Sequence, residues 1–177
     1  FQVNEGEFKV MGLSSFGNAE SEVAKDVFNL IKWDEKEQKI IQNMKYFSYH
    51  ISLKNSFSEE LVSLLGEPRN PFIPLLPDNK DFQYYADIAK GAQLAVKEIL
   101  CQIFKFANLI TGSTKFLFSG GVAMNSAALD DIASLPFVEQ ITIPPSPGDS
   151  GSAIGAAYYA YLKSNSKKRE RLPKPSL

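Results

Sequence analysis

Between residues 115 and 161, a short apolar run followed by a glycine turn and a helical pattern occurs twice. In the first unit, residues 116–118 are typical of a buried strand that stops at Gly120-Gly121. A helical pattern follows directly, with apolar residues at Val122, Ala123, Ala127 and Leu129. Two glycines let the backbone bend sharply, and the start of a helix directs unpaired N–H groups into the same space. We therefore predict a turn that binds a phosphate or a carboxylate.

The second unit repeats this plan. Residues 141–143 are typical of a strand, the proline-rich stretch 144–148 ends it, and Asp149 leads into a helical pattern over 151–161. The first turns of that helix carry almost no side chains, since they contain Gly151, Ala153, Gly155, Ala156 and Ala157. Such a helix suits close approach to a sheet or to a bulky ligand. The alternative for both units is a tight strand–helix connection without a ligand, because a glycine pair alone is weak evidence.

The composition indicates one globular domain. The 177 residues are 44% hydrophobic and 22% charged, which is sufficient for a single core. A net charge of −1 gives no general attraction to nucleic acid or to anionic membranes, and no apolar run approaches the ~18 residues of a membrane span. The single cysteine, Cys101, excludes an internal disulfide, so we predict a cytoplasmic protein. Because the chain begins at Phe1 without a signal-peptide pattern, we interpret it as a piece of a longer protein.

The two glycine turns together are more specific than either alone. SGGVAMN at 119–125 and PPSPGDSGSAIGAA at 144–157 resemble the SGGVALN and PxPGDxGxAxGAA motifs of the O-carbamoyltransferases of antibiotic and nodulation-factor biosynthesis. The amino-terminal domain of that family is similar to the tRNA threonylcarbamoyl-transfer proteins. The resemblance covers most of the chain and implies an α/β fold class, namely part of an actin-like ATPase (ribonuclease H-like) domain with a mixed sheet flanked by helices.

The amino-terminal segment extends the resemblance. GEFKVMGLSSFG at 6–17 stands where the family has GEYKVMGLAPYG, a segment that helps to form the nucleotide pocket. Glu7, Lys9 and Gly12 are therefore implied nucleotide contacts, although residues 14–16 depart from the family's Ala-Pro-Tyr. From the residues alone, the same segment is a loop or short helix that carries a solvated Glu–Lys pair.

Hydrophobic periodicity predicts the remaining elements, which pack rather than react. They are a helix over 19–32 capped by Asn18, strands over 39–44 and 46–51, and helices over 58–65 and 81–108. The broad apolar stripe of the last helix indicates that it lies in the core.

Four polar residues outside the glycine turns have open roles. His50, the single histidine, is more typical of a structural residue than of a metal or triad site. Arg69 lies in a segment that resembles the family's GxPRxP, so it either meets an anion or is an exposed loop arginine. Asp87 and Gln93 match the family's YADLAxxxQ helix, where they either lie near the pocket or, as we expect, are solvated.

The resemblance implies an O-carbamoyltransferase. In that family one domain makes carbamoyladenylate from carbamoyl phosphate and ATP, and the actin-like domain transfers the carbamoyl group to the hydroxyl of a small acceptor. The implied binding residues for nucleotide or carbamoyladenylate are Glu7, Lys9, Gly12, Gly120, Gly121, Val122 and Asn125. The implied metal ligand is Asp149, for a divalent, iron-type ion whose two histidine ligands precede Phe1.

The same resemblance divides the chain. Residues 1–164 would form the carboxy-terminal half of the transfer domain, and 165–177 a basic linker toward a second domain. The expected partners are a hydroxyl acceptor and the other parts of the same protein, with no nucleic acid or membrane; a homodimer is compatible with this reading. Two alternatives remain: a catalytically silent nucleotide-binding or interaction domain of this fold, and a sugar-kinase-like phosphotransferase. The motifs GxGxxG, HExxH and CxxC and the Gly-Lys-Ser/Thr phosphate loop do not occur.

Overall fold

The computed structural model describes residues 6–165. In chain order its helices are α1 (Glu7–Leu13), α2 (Glu22–Phe28), α3 (Glu59–Leu65), α4 (Phe82–Thr111), α5 (Ser126–Ala133) and α6 (Gly151–Asn165). Its strands are β1 (Ile31–Asp34), β2 (Lys39–Gln42), β3 (Lys115–Leu117) and β4 (Gln140–Thr142). Short 3₁₀ turns lie at Ser14–Phe16, Met44–Tyr46 and Gly121–Met124. The structure is mixed α/β, as predicted; the actin-like architecture stays a prediction.

The 30-residue helix α4 is the element against which most of the others pack. Helices α1, α2 and α5 all contact it, as does the 3₁₀ turn that follows α1. It ends at Gly112, whose φ of +66° allows the left-handed cap that glycine adopts without steric cost. The predicted helices 81–108 and 58–65 are confirmed with small shifts of their ends. The first has a long apolar stripe, and the second has a clear cap at Ser58.

The hydrophobic core lies where α4 and α5 meet the parallel sheet. Leu100 and Phe104 of α4 are buried together with Ala128 and Ile132 of α5. The Phe104 ring lies 4.9 Å from that of Phe116, measured between ring centroids. Burying each large apolar side chain stabilises the fold by about 1.5–3 kcal/mol, so this cluster holds the helices on the sheet.

Strands β3 and β4 pair in parallel, and α5 is the crossover between them. Phe116 lies opposite Ile141 in the register, and both side chains face the core. Leu117 points to the other face and is 75% exposed. The predicted strands 116–118 and 141–143 are confirmed to within one residue.

Two glycines permit helices and turns to lie very close to α4. A Cβ at Gly91 would overlap the carbonyl group of Ala24 and would lie 2.9 Å from the Cβ of Val27. A Cβ at Gly17 would overlap the carbonyl group of Ala86 in the same way. Glycine is therefore required at both positions for steric reasons and not for its backbone freedom.

The predicted helix over 19–32 is wrong at both ends. Helix α2 begins after Ser21, whose hydroxyl accepts a hydrogen bond from the Ala24 N–H at 3.3 Å. Asn18 instead forms a local turn, accepting from the Glu20 N–H at 3.0 Å. Downstream, residues 31–34 form strand β1, which pairs antiparallel with β2. β-Branched and aromatic residues such as Ile31 favour a strand once a partner strand is available.

The predicted strand over 46–51 is also wrong, and the one over 39–44 is shorter than expected. Asn43 ends the ladder because its side chain accepts from the Lys45 N–H at 3.3 Å and starts a 3₁₀ turn. Within 46–51 a single bridge forms, between Phe47 and Phe57. Local side-chain hydrogen bonds of this kind compete with strand pairing.

No helix within residues 6–165 is both long enough and apolar enough to cross a bilayer. The predicted basic linker, 165–177, lies outside the described residues except for the last residue of α6. The division at residue 164 and the cytoplasmic location therefore stay predictions.

Candidate functional site

The two glycine turns predicted from the sequence lie side by side. The Gly120 N–H donates to the Pro147 carbonyl oxygen at 2.7 Å, and the Ser119 hydroxyl donates to the same oxygen at 3.1 Å. Just before the first turn, the Phe118 N–H donates to the Thr142 carbonyl oxygen at 2.9 Å, which continues the pairing of β3 with β4. The carboxyl ends of parallel strands meet at one edge of a sheet, which is where ligands bind in open α/β structures. The junction of these turns is therefore the candidate site.

The first turn is open toward solvent. Gly120 has φ of +107°, a conformation that glycine adopts readily and other residues do not. A Cβ at Gly120 or at Gly121 would meet no atom within 4 Å. Within residues 6–165 neither the Gly121 N–H nor the Val122 N–H donates a hydrogen bond to another residue. These two N–H groups can therefore donate to a ligand oxygen without breaking an existing hydrogen bond.

The helix after the glycines differs from the prediction. The predicted α-helix opens directly at the glycine pair, whereas the structure has a 3₁₀ turn over Gly121–Met124, and α5 begins only at Ser126. The physical reason is that Asn125 is a helix cap. Its side chain accepts from the Ala128 N–H at 3.2 Å and starts the α-helix there. The α5 dipole is therefore separated from Gly120 by one turn.

Asn125 is held by a buried glutamine of α4. The Gln93 Nε2 donates to the Asn125 Oδ1 at 3.0 Å, and the Asn125 Nδ2 donates back to the Gln93 Oε1 at 3.0 Å. Gln93 is 7% exposed. The expectation that Gln93 is solvated is therefore wrong, because its amide is satisfied by Asn125 instead of by water.

The second turn carries Asp149 on its exposed side. The Asp149 carbonyl oxygen accepts from both the N–H and the hydroxyl of Ser152, at 3.1 and 2.7 Å. Its carboxylate accepts no hydrogen bond from any residue between 6 and 165, so its side chain does not cap helix α6. A Cβ at Gly151 would overlap the Ser146 carbonyl group, which explains the glycine after this turn.

A metal site is not complete at this place in the part of the chain that the structure describes. That part contains no group of three or more His, Cys, Asp or Glu residues able to hold an ion. One carboxylate is a poor ligand set for a divalent metal. Asp149 as a metal ligand therefore stays a prediction that needs further ligands.

A family model for the carbamoyltransferase N-terminus matches residues 1–158. The chain belongs to this carbamoyltransferase N-terminus family. The family predicted from the two glycine-turn motifs is thereby confirmed, and both turns lie within the matched range.

Among curated proteins, the chain is similar to the uncharacterized protein sll1178 of Synechocystis sp. (strain ATCC 27184 / PCC 6803 / Kazusa). The two are 30% identical over 167 residues, which is 92% of this chain and 26% of that protein. The chain thus spans about a quarter of the length of this relative.

The predicted nucleotide contacts of the carbamoyltransferase N-terminus family lie on helix α1. Glu7, Lys9 and Gly12 are exposed, and a Cβ at Gly12 would meet no atom within 4 Å. Helix α1 reaches the start of α5, where the Ser126 hydroxyl lies 3.9 Å from the Met11 sulfur. The structure thus brings α1 beside the helix that follows the glycine turn, while the roles of Glu7, Lys9 and Gly12 stay predictions.

Asp87 is buried and hydrogen-bonded to other residues, so the expectation that it is solvated is wrong. It is 8% exposed, and its Oδ1 accepts from the Asn18 N–H at 2.7 Å and from the Gln83 Nε2 at 2.8 Å. The carboxylate therefore fastens the segment before α2 onto α4. A hydrogen-bonded carboxylate of this kind stabilises the loop it binds.

Arg69 and His50 both contact aromatic side chains. The Arg69 guanidinium lies 5.7 Å from the centroid of the Tyr85 ring and donates to the Ile73 carbonyl oxygen. It is therefore a half-buried loop arginine that packs its own loop against α4, and contact with an anion stays a prediction. His50 is exposed and lies edge-on to Tyr49, with ring centroids 5.9 Å apart.

The surroundings of Cys101 disfavour its thiolate form. Burial in α4 raises the pKa of its thiol above the ordinary value, and the neighbouring Glu98 carboxylate raises it further. A thiol with a raised pKa holds little of the reactive thiolate at neutral pH.

Two features of the site could not be identified from the sequence. The Pro147 carbonyl oxygen is a backbone acceptor, and no residue type marks a backbone acceptor in a sequence. The Gln93–Asn125 contact joins residues 32 positions apart, so no local periodicity relates them. The available signal in the sequence is that Gln93 is a polar residue at a position of α4 that faces the core, where a polar side chain needs a hydrogen-bond partner.

Proposed function

We propose that this chain is the carbamoyl-transfer part of an O-carbamoyltransferase. It binds carbamoyladenylate at the turn formed by Gly120 and Gly121, and the carbamoyl group passes from there to the hydroxyl of a small acceptor. The observation that carries the proposal is the open glycine turn, with the unpaired N–H groups of Gly121 and Val122 beside the Pro147 turn. Membership of the carbamoyltransferase N-terminus family supports the same activity.

The reaction requires a hydrogen-bond donor beside an oxygen that gains negative charge. The acceptor oxygen attacks the carbamoyl carbon, the bond from that carbon to the adenylate oxygen breaks, and AMP and a proton leave. Charge develops on the carbamoyl oxygen or on the departing phosphate, and unpaired backbone N–H groups stabilise either one. Loss of one such donor lowers kcat by roughly 10²–10³-fold in other acyl-transfer enzymes.

Glycine at position 121 keeps these donors accessible. A Cβ at Gly121 would meet no atom within 4 Å. We therefore expect the fold to tolerate a larger side chain there, and we expect that side chain to restrict access to the adjacent N–H of Val122. In this proposal the residue is required for access by the ligand and not for folding.

Formation of carbamoyladenylate from carbamoyl phosphate and ATP is assigned to sequence outside this chain. The relative sll1178 is long enough to contain such a part, since this chain spans 26% of it. The iron-type metal expected at Asp149 takes no step in the proposal, because the described residues provide one carboxylate there.

The first prediction is that Gly121→Val weakens the binding of AMP by at least about tenfold, which corresponds to 1.4 kcal/mol. The free energy of unfolding should change by less than about 1 kcal/mol, because a Cβ at this position would meet no atom within 4 Å. AMP binding is measured by calorimetry on the protein in its natural full length, and stability by urea denaturation.

Ala133→Val is the matched control. It adds methyl groups to the same strand–turn–helix unit, at an exposed position at the end of α5. It should leave AMP binding unchanged. Parallel losses of binding and stability in Gly121→Val, or no AMP binding by the unaltered protein, would contradict the proposed function.

A further inference from the structure

Gln93 and Asn125 form a closed pair of amides between α4 and the candidate site. Each side chain donates one hydrogen bond to the other, and both distances are 3.0 Å. Gln93 is one of the few buried polar residues among those described. A buried amide whose bonds all go to one partner fixes the position of that partner.

The orientation of the Asn125 amide is determined by the backbone. The Ala128 N–H can only donate, and it is shared between the Asn125 backbone carbonyl oxygen at 3.1 Å and the Asn125 side chain at 3.2 Å. The atom that faces it must therefore be the oxygen Oδ1, and this places the NH₂ group toward the Gln93 oxygen. Exchanging the two ends of the amide would place an NH₂ group against this N–H, and two donors facing each other repel.

A count of the Asn125 hydrogen-bonding groups leaves one donor unassigned. The Oδ1 accepts from both Gln93 and Ala128, which uses both of its lone pairs. One of the two Nδ2 protons goes to the Gln93 oxygen. The second Nδ2 proton has no acceptor among the residues that the structure describes.

The same residue also anchors the glycine turn through its backbone. The Asn125 N–H donates to the Val122 carbonyl oxygen at 3.0 Å, and the Ala123 N–H donates to the Gly120 carbonyl oxygen at 3.0 Å. Ala123 is buried, so the turn is fixed between Asn125 on one side and the Pro147 carbonyl oxygen on the other. A movement of Asn125 would therefore move Gly120 and Gly121.

We propose that Gln93 is a positioning residue of the site. It holds Asn125 so that the glycine turn keeps its open form, and, resting on the proposed function, so that the free Nδ2 proton of Asn125 donates to a carbonyl or phosphate oxygen of the bound adenylate. Gln93 itself touches no ligand in this arrangement.

The ion pair between Lys97 and Asp131 provides a matched comparison. Lys97 lies one turn further along α4, and its Nζ is 2.5 Å from the Asp131 Oδ2. That oxygen is buried and has no other hydrogen-bond partner among the described residues. The pair joins the same two helices as Gln93 and Asn125 but reaches the middle of α5, beyond the cap.

The test compares Gln93→Met with Lys97→Met by amide hydrogen exchange, measured by NMR on the full-length protein. In Gln93→Met the exchange rates of the Ala123, Asn125 and Ala128 N–H groups should rise. The factor by which they rise should be about ten times the factor for N–H groups in the buried part of α4. In Lys97→Met these three rates should change only as much as the core. A local rise of equal size in both variants, or in neither, would overturn the positioning role.

AMP binding is the second arm and separates this inference from the proposed function. Gln93→Met should weaken AMP binding by at least about tenfold, whereas Lys97→Met should not. If the unaltered protein binds no AMP, the proposed function fails, and the exchange measurement still decides whether Gln93 positions the turn. Unchanged AMP affinity in Gln93→Met, with the unaltered protein binding AMP, would remove the Asn125 Nδ2 donor from the site.

Discussion

The two adjacent glycines of the candidate site are required for different reasons. Gly120 has φ of +107°, which residues with a Cβ rarely adopt, while Gly121 lies outside that region. Both have open space where a Cβ would be. Gly120 therefore serves the backbone conformation of the turn, and Gly121 serves access to its N–H groups.

The second prediction follows from this difference. Gly120→Ala should lower the free energy of unfolding by about 1–3 kcal/mol, because alanine is strained at this backbone conformation. Gly121→Ala should change it by less than about 0.5 kcal/mol. Urea denaturation of the two variants side by side measures both values, and equal losses would mean that the turn has another conformation in solution.

At the residue scale, the sequence identifies the glycine turn but not the residues that hold it in place. Gly120, Gly121 and Asn125 follow from a motif in which each residue stands at a fixed distance from the next. Gln93 faces Asn125 only because of how α4 lies against α5, and that depends on the packing of Leu100 and Phe104. Packing between distant segments is the part of a site that local pattern does not contain.

At the element scale, prediction succeeds where a single pattern dominates. Helix α4 has a long apolar stripe, and strands β3 and β4 are short apolar runs bounded by turn residues, so both kinds are found. The bounds predicted for helix α2 are wrong because Asn18 and Ser21 are both good caps, and because residues 31–34 form a strand that pairs with β2. A strand over 39–44 is predicted from the sequence, but its pairing with residues 31–34 is not. The helix at the glycine turn begins late because Asn125 provides a second cap.

The third prediction concerns the packing of α5. Ile132 is 0% exposed between α4 and the sheet, so Ile132→Ala should lower the free energy of unfolding by about 2–5 kcal/mol. Leu109→Ala is the comparison, since Leu109 is 75% exposed and its loss should cost less than about 0.5 kcal/mol. Thermal or urea unfolding distinguishes them, and a loss in Ile132→Ala as small as in Leu109→Ala would place the core elsewhere.

At the scale of the whole molecule, the α/β character and the family follow from the sequence, while the activity stays a proposal. The match to the carbamoyltransferase N-terminus family covers residues 1–158, but the similar protein sll1178 is about four times as long, since the chain spans 26% of it. Among the described residues no group of three or more His, Cys, Asp or Glu side chains could hold a metal ion.

The fourth prediction is that the 177-residue chain alone, supplied with carbamoyl phosphate and ATP, releases no carbamoylated product or AMP above background. The reason is that the proposed chemistry here begins with carbamoyladenylate that is made elsewhere. AMP release followed by chromatography measures the outcome, with the protein in its natural full length as the positive control. Turnover by the chain alone would show that the adenylate-forming step lies within it.

The contact between α2 and α4 at Gly91 limits how this sequence can change over generations. Every single-base change of a glycine codon that alters the amino acid introduces a residue with a Cβ, and that atom would overlap the Ala24 carbonyl group. No series of small substitutions at position 91 can therefore begin without first moving α2 away from α4. A saturation library selected for folding should consequently recover glycine alone at this codon, unless a second change elsewhere in the gene has already shifted α2.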